Sequence, residues 1–234
     1  MASSPRYPLI DVATATPNNT NFADNVASHS TEMALIHNVF IRSLNSVHQH
    51  ARQVTTDAKA FAGYSLILID MIHMHHLGEE TFLFPFLQTK LDMDQNIDQH
   101  EAFKGPLTAF EDYMRAVFDG KAKYDGEKVV ALVEAFGDTL VEHLHEEIPT
   151  ISPERLAQFD RTGFDQVVLT MKNWRNKHEP MASIGPFVIF HHDFNAVPNW
   201  PRISGIAIFV VKYVLYWRVL KQQHHSYWKF APFK

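Results

Sequence analysis

The chain has 234 residues, 46% of them hydrophobic, a formal net charge of −5 with histidine neutral, and no cysteine. The apolar content supports a buried core and excludes disorder over most of the length. Without cysteine there are no disulfides, thiolate zinc sites, iron–sulfur clusters or cysteine nucleophile, so any metal must be bound through nitrogen and oxygen. No basic stripe or Lys/Arg block marks a nucleic-acid surface, and no nucleic-acid partner is expected. With nine glycines, no Gly-rich phosphate loop and no serine nucleophile elbow, nucleotide-binding folds and serine hydrolases are disfavoured. Histidine is the outlier: fifteen are present, in clusters, and histidine is the commonest metal ligand.

The chain begins MASSPRYPLIDVATATPNN. No apolar segment follows a basic one there, so no secretory leader is expected and the protein is read as soluble and cytoplasmic. Residues 1–27, rich in Pro, Thr, Asn and Ala, read as an N-terminal arm. Ser28-x-x-Thr31-Glu32 offers helix-start chemistry. Met33, His37, Phe40, Leu44 and Val47 then recur at spacings of 4, 3, 4 and 3, predicting an amphipathic first helix over about 29–52. Asp57 can cap a second helix that continues to about residue 88. Its stripe is Leu68, Ile72, His75, Glu79, Phe82 and Phe86, and Pro85 is placed to kink its last turn. A third helix starts near Asp94, carries His100, Phe103, Leu107, Phe110, Met114 and Val117, and stops at Asp119-Gly120. Pro106 inside it signals a kink or a late start. The fourth, about 126–148, carries Val129, Val133, Phe136, Leu140, His143 and Glu147, and Pro149 and Pro153 end it.

Strand signals are weak. Four long amphipathic helices with short connections predict an all-α, up-down-up-down four-helix bundle over residues 28–153. Residues 154–234 read as a C-terminal extension of helices and loops packing on the bundle. It comprises one or two short helices over 154–178, a proline-rich loop over 180–202 and an apolar, aromatic segment from Ile203 to Leu220. Lys212 and Arg218 interrupt that segment, which argues for a helix packed on the bundle or a partner rather than a membrane span. A membrane-surface helix is the lesser reading.

A stripe facing a bundle core should be apolar. Each of these four is broken by a histidine (His37, His75, His100, His143), and two are broken again by Glu79 and Glu147. One buried histidine is ordinarily a satisfied core residue. Six ionisable groups on the inner faces of one bundle are prohibitively costly unless a cation pairs them. His75–Glu79 and His143–Glu147 are both i,i+4 pairs, one turn apart on one helix face. Each is followed by a proline six residues after the glutamate, at Pro85 and Pro153, so His-x3-Glu-x5-Pro occurs twice, about 68 residues apart. The pattern is that of a duplicated helical hairpin, and two metals bridged by two carboxylates follow from it.

His73, His75 and His76 compete for the position on the second helix. Neighbours on a helix differ by about 100°, so His75 and His76 cannot both face one metal. His76–Glu80 is the alternative i,i+4 pair; His75–Glu79 is preferred because its stripe runs through Ile72, Phe82 and Phe86 and its distance to proline matches the second motif. Glu80, His145 and Glu146 are then expected beside the ligands or at the surface, and His29, His48 and His50 at the surface near the ends of the first helix. His191-His192-Asp193 and His224-His225 read as solvated rather than as another metal site, with His191 or Asp193 available for proton transfer at the bundle mouth. The phenylalanines Phe40, Phe82, Phe86, Phe103, Phe110 and Phe136 read as core that would also keep a metal pocket dry.

These residues resemble the hemerythrin-like cation-binding (HHE) family, whose pattern is His, HxxxE, His, HxxxE. The matching positions are His37, His75-His76-Leu77-Gly78-Glu79-Glu80 leading into Phe84-Pro85, His100 within Asp98-Gln99-His100-Glu101, and His143-Leu144-His145-Glu146-Glu147, together covering about 28–153. The layout is also similar to fungal-type hemerythrin-like proteins, including an aromatic end at Tyr227-Trp228-Lys229-Phe230-Ala231-Pro232. The resemblance implies a non-haem centre of two iron ions, oxo- or hydroxo-bridged, that binds or activates O2. In it the four histidines are terminal ligands and Glu79 and Glu147 bridge. In O2-carrying hemerythrins the third helix supplies two histidines one turn apart; here Lys104 stands one turn after His100. Four histidines in place of five imply an extra open coordination position. That favours an oxidase or oxygenase of a small organic substrate over a carrier. The alternative is a non-catalytic O2-, NO- or iron-binding sensor or storage module, and a structural bundle with zinc or no metal stands third. Donor type does not decide the metal, since imidazole and carboxylate suit iron, zinc and manganese.

Overall fold

The computed structural model describes residues 5–12, 20–178, 181–213 and 227–232. Four long helices form an up-down-up-down bundle: α1 (Asn25–His50), α2 (Ala58–Gly78), α3 (Asp94–Phe118) and α4 (Gly126–Thr150). Helix α2 is prolonged by a π-helical turn over Glu79–Leu83 and a further α-turn over Phe84–Leu87. α1 packs on α4, α4 on α3, α3 on α2 and α2 back on α1. The inward stripes are those of the sequence: Leu44 and Val47, Leu68 and Ile72, Phe103 to Val117, and Val129 to Leu140 are all buried. Each large apolar side chain so placed contributes on the order of 1.5–3 kcal/mol, and this burial rather than local propensity holds helices of such mixed composition.

The helix ends follow local chemistry. The Asp24 carboxylate accepts from the backbone N–H groups of Val26 and Ala27, so α1 starts at Asn25, ahead of the Ser28 signal. Asp125 caps α4 in the same way on Glu127 and Lys128. At the end of α3, Gly120 adopts φ 73° and the Lys121 N–H bonds the Ala116 carbonyl at 2.8 Å, a left-handed closure that suits glycine. The prolines act less sharply than expected. Pro106 lies within continuous α3, and Pro149 lies inside the last turn of α4.

The π-turn corrects the predicted face of the second helix. The Phe84 N–H bonds the Glu79 carbonyl five residues back, so one extra residue enters the turn just before Pro85, which has no N–H to donate. The core face shifts accordingly. Leu83, Phe84 and Leu87 are buried, whereas Phe82 and Phe86, expected inside, are half-exposed against Trp174 and against Phe159 and Phe164.

Described helices that follow the bundle pack on it. Helices α5 (Pro153–Leu156) and α6 (Arg161–His178) match the short helices read from 154–178. Phe164 of α6 is buried with Val26, Met33, Leu83, Phe84 and Leu87, closing one end of the bundle. The proline-rich stretch read as a loop over 180–202 instead contains α7 (Met181–His191), with Pro186 inside it. Burial of Ile184, Phe187 and Phe190 on the bundle outweighs the broken backbone bond. On α8 (Gly205–Phe209) and just after it, Ile206, Phe209 and Tyr213 are exposed among the described residues. Residues 214–220, with Arg218, and the His224-His225 pair lie outside the described residues. No described helix is long and apolar enough to cross a membrane.

Both flanking segments are clamped. Asn38 and Asn45 on α1 each exchange two hydrogen bonds of 2.8–2.9 Å with the arm backbone, at Ile10 and Tyr7. The Tyr7 ring lies where a side chain at position 137 would be, and the Tyr227 ring lies likewise against Gly63.

Candidate metal centre

All six predicted residues converge in the bundle interior. His37, Glu79, His143 and Glu147 have no exposed surface, His100 is 2% exposed and the His75 side chain 9%. The structure adds a seventh. His76, set second to His75 in the sequence reading, is also buried, its ring centroid 4.3 Å from that of His100 and 5.2 Å from that of His143. Two four-residue groups result: His37, His75, Glu79 and Glu147, and His76, Glu79, His100 and His143. Within each, the ligand atoms lie within 4.8 Å of one another, close enough for one cation.

The helix explains how α2 serves both groups. From His75, His76 lies about 100° round the helix and Glu79 about 40°. The glutamate therefore sits between its two histidines. His75 and His76 do not face one position, as the spacing argument held; they face two. Glu79 contacts both halves, with Oε1 2.9 Å from His75 Nε2 and Oε2 3.8 Å from His100 Nε2. Glu147 does the same from α4, its Oε2 being 3.4 Å from His37 Nε2 and 3.9 Å from His143 Nε2.

The hydrogen bonds fix where the lone pairs point. His37 Nδ1–H donates to the Leu144 carbonyl at 2.8 Å, His100 Nδ1–H to Glu80 at 2.8 Å, and His143 Nδ1–H to the Gln99 amide oxygen at 3.2 Å. The amide orientation is set by its nitrogen, which donates to Glu146 at 2.7 Å. Each neutral ring therefore has a bare Nε2 facing inward. His100 Nε2 and His143 Nε2 stand 3.0 Å apart, two lone pairs head to head, and His37 Nε2 and His75 Nε2 are likewise 3.0 Å apart. Both oxygens of Glu79 and of Glu147, and Nε2 of His76, are buried without a hydrogen-bond partner. The 2.9 Å contact of Glu79 with His75 lacks hydrogen-bond geometry. Unpaired acceptors at this density are costly, and a pair of cations would satisfy all of them at once.

Burial dominates the electrostatics. It pushes the His37, His76 and His143 imidazoles well down, His75 to about 3, and His100 down as well. It pushes the Glu79 and Glu147 carboxyls well up, each raised further by a neighbouring glutamate. The imidazoles are thus held neutral, the form that binds metal, while the carboxylates need a cation to stay ionised. Phe40, Phe84 and Phe103 pack their rings 5.0–5.8 Å from these imidazoles and wall the site with apolar surface.

Most of the other described histidines have partners outside the centre. His145 bonds the Pro8 carbonyl at 3.1 Å, and Glu146 accepts from Gln95 and Gln99. His48 pairs with Glu134, His50 with Ser46 and His73 with Glu111. His29, expected at the surface, tucks its Nε2 out of solvent with its ring against Phe164, because α6 covers the start of α1. His191 and His192 are buried, not solvated: His191 bonds the Phe187 carbonyl and the Tyr64 hydroxyl, and His192 the Val197 carbonyl. Tyr64 precedes His75 by eleven residues on α2, about 16 Å along the helix, so His191 is not at the mouth of this site.

One curated relative is similar along most of its length: "Dimeric xanthone biosynthesis cluster protein R11" of Cryptosporiopsis sp. (strain 8999), 28% identical over 215 residues, which is 87% of this chain and 78% of that protein. No solved structure matches the chain. The profile of the Hemerythrin HHE cation binding domain matches residues 28–153, which is the bundle that carries all seven converging side chains, and the chain belongs to that family.

Proposed function

We propose that the chain binds two iron ions, with His37 and His75 at one position, His76, His100 and His143 at the other, and Glu79 and Glu147 shared between them. The observation that carries this reading is the pair of buried carboxylates, each with unpartnered oxygens and each approaching one histidine of either group. Bound there, iron would supply one-electron redox chemistry and a place for O2 to react. The residues do the rest. Neutral imidazoles whose outer N–H groups are already engaged present fixed lone pairs. Two carboxylates offset the positive charge, and the phenylalanine walls exclude water that would compete with O2.

On this reading the protein is an O2-activating oxidase or oxygenase of a small organic substrate. The relative named for a dimeric xanthone biosynthesis cluster directs the substrate search to oxygenated polycyclic aromatics. A second reading, a non-catalytic O2-, NO- or iron-binding module, is favoured by His76. The fifth inward imidazole removes the shortfall that counted against a carrier. The two separate in an oxygen electrode. Iron-loaded protein supplied with hydroxylated xanthones should consume O2 in proportion to product. A colour change reversed by evacuation, with no net uptake for any substrate, supports the module and overturns the enzyme.

A further inference from the structure

The two halves of the centre differ in what lies behind their imidazoles. Behind His100 is the Glu80 carboxylate, accepting its Nδ1–H at 2.8 Å. Behind His143 is the Gln99 amide, whose own nitrogen donates to Glu146 Oε2 at 2.7 Å; Gln95 donates to the same oxygen at 2.8 Å and holds it in place. The outer N–H groups of His100 and His143 thus both lead to a negative charge, one directly and one through an amide. Behind His37 there is only the neutral Leu144 carbonyl. An imidazole that donates to a carboxylate is a better electron donor to a cation, and a negative charge one ring away favours the more highly charged ion. Glu80 is suited to this. It is 37% exposed, so its charge is not fully desolvated, while the ring it holds is 2% exposed.

We propose that Glu80, and Glu146 acting through Gln99, are positioning residues that make the two metal positions unequal, so that the His76/His100/His143 position holds its cation more tightly than the His37/His75 position. The inference rests on the two-cation reading above. It concerns residues outside the ligand set and adds a graded binding order to that reading.

The test is an optical titration of the metal-free, full-length protein with Co2+, followed through its visible bands, with circular dichroism to confirm that each variant is folded. Wild type should fill in two resolved phases. Glu80→Gln keeps a hydrogen-bond acceptor of the same shape but removes the charge. It should weaken the tighter phase roughly tenfold to a hundredfold and leave the weaker phase in place. Glu80→Leu should do the same or worse, and Glu146→Gln, at a solvent-facing position that does not threaten folding, should show a smaller loss confined to the same phase. Wild-type affinity in both glutamine variants would show that hydrogen bonding alone matters and would overturn the proposal, as would equal weakening of both phases; either leaves the two-cation centre standing. Failure of wild type to bind two Co2+ ions would instead overturn the centre itself.

Discussion

Replacing Glu147 with methionine separates the needs of the fold from those of the metal. The side chain has no exposed surface, and neither oxygen has a hydrogen-bond partner. Burial and the neighbouring Glu79 push its carboxyl well up, so without a cation the site favours the neutral acid. A buried polar group left unmet costs about 1–3 kcal/mol. Methionine has similar length and no such requirement. Metal-free Glu147→Met should therefore be more stable than metal-free wild type by about 2 kcal/mol, which for a chain of this size is a rise in Tm of roughly 4–8 °C. With metal bound the sign reverses, because a carboxylate shared by both positions is gone. The assay is thermal unfolding by circular dichroism of chelator-stripped and iron-reloaded samples. A lower Tm for the stripped variant would refute the reasoning, since Glu147 would then be part of a polar network that stabilises the fold without metal. A higher Tm in both states would refute its role as a ligand.

Other changes probe separate parts of the account. His143→Ala should lower bound metal, whereas His145→Ala, whose ring reaches the Pro8 carbonyl, should leave metal content unchanged by elemental analysis. His76→Leu should reduce bound metal from two ions towards one; retention of two would remove it from the ligand set. His191 is pushed down to about 3 by burial. Its folded value lies below the unfolded one of about 6.5, so the unfolded chain takes the proton first and stability falls as pH drops from 6.5 towards 3. Between pH 6.5 and 5 this amounts to about 2 kcal/mol. Urea titrations of metal-free His191→Gln, which can still accept from Tyr64, should show that much less acid sensitivity than wild type. Gly137→Ala places a methyl group in the space of the Tyr7 ring; it should cost about 1–3 kcal/mol and expose the N-terminal arm to limited proteolysis.

Much of the centre was legible because the bundle core is apolar by default, so ionisable residues in register with Phe40, Ile72, Phe103 and Leu140 stand out. The helical period alone aligned His37, His100, His143 and Glu147. His76 was not legible in the same way. The rule that adjacent residues cannot share one metal is correct, but it does not exclude their serving two, with Glu79 between them. The π-turn was equally hidden. It depends on where the Phe84 N–H finds a carbonyl, and it moved the core from Phe82 and Phe86 to Leu83, Phe84 and Leu87. α7 was missed because its prolines weigh against a helix locally, while the burial of Phe187 and Phe190 that outweighs them is a tertiary effect. Of the residues behind the converging histidines, Glu80 and Glu146 adjoin the paired glutamates and lie where the spacing puts them, beside the site or at the surface, whereas Gln99 shows no pattern in the sequence, being an ordinary polar residue on a half-exposed helix face.

A pair of iron ions in this bundle would be seen at once in elemental analysis of the purified protein, with an absorption spectrum recorded in air. The expected result is two irons per chain and the near-ultraviolet absorption of a bridged ferric pair, both lost together on replacing Glu79 or Glu147 with alanine. One zinc per chain, or no metal in protein that is fully folded, would contradict it.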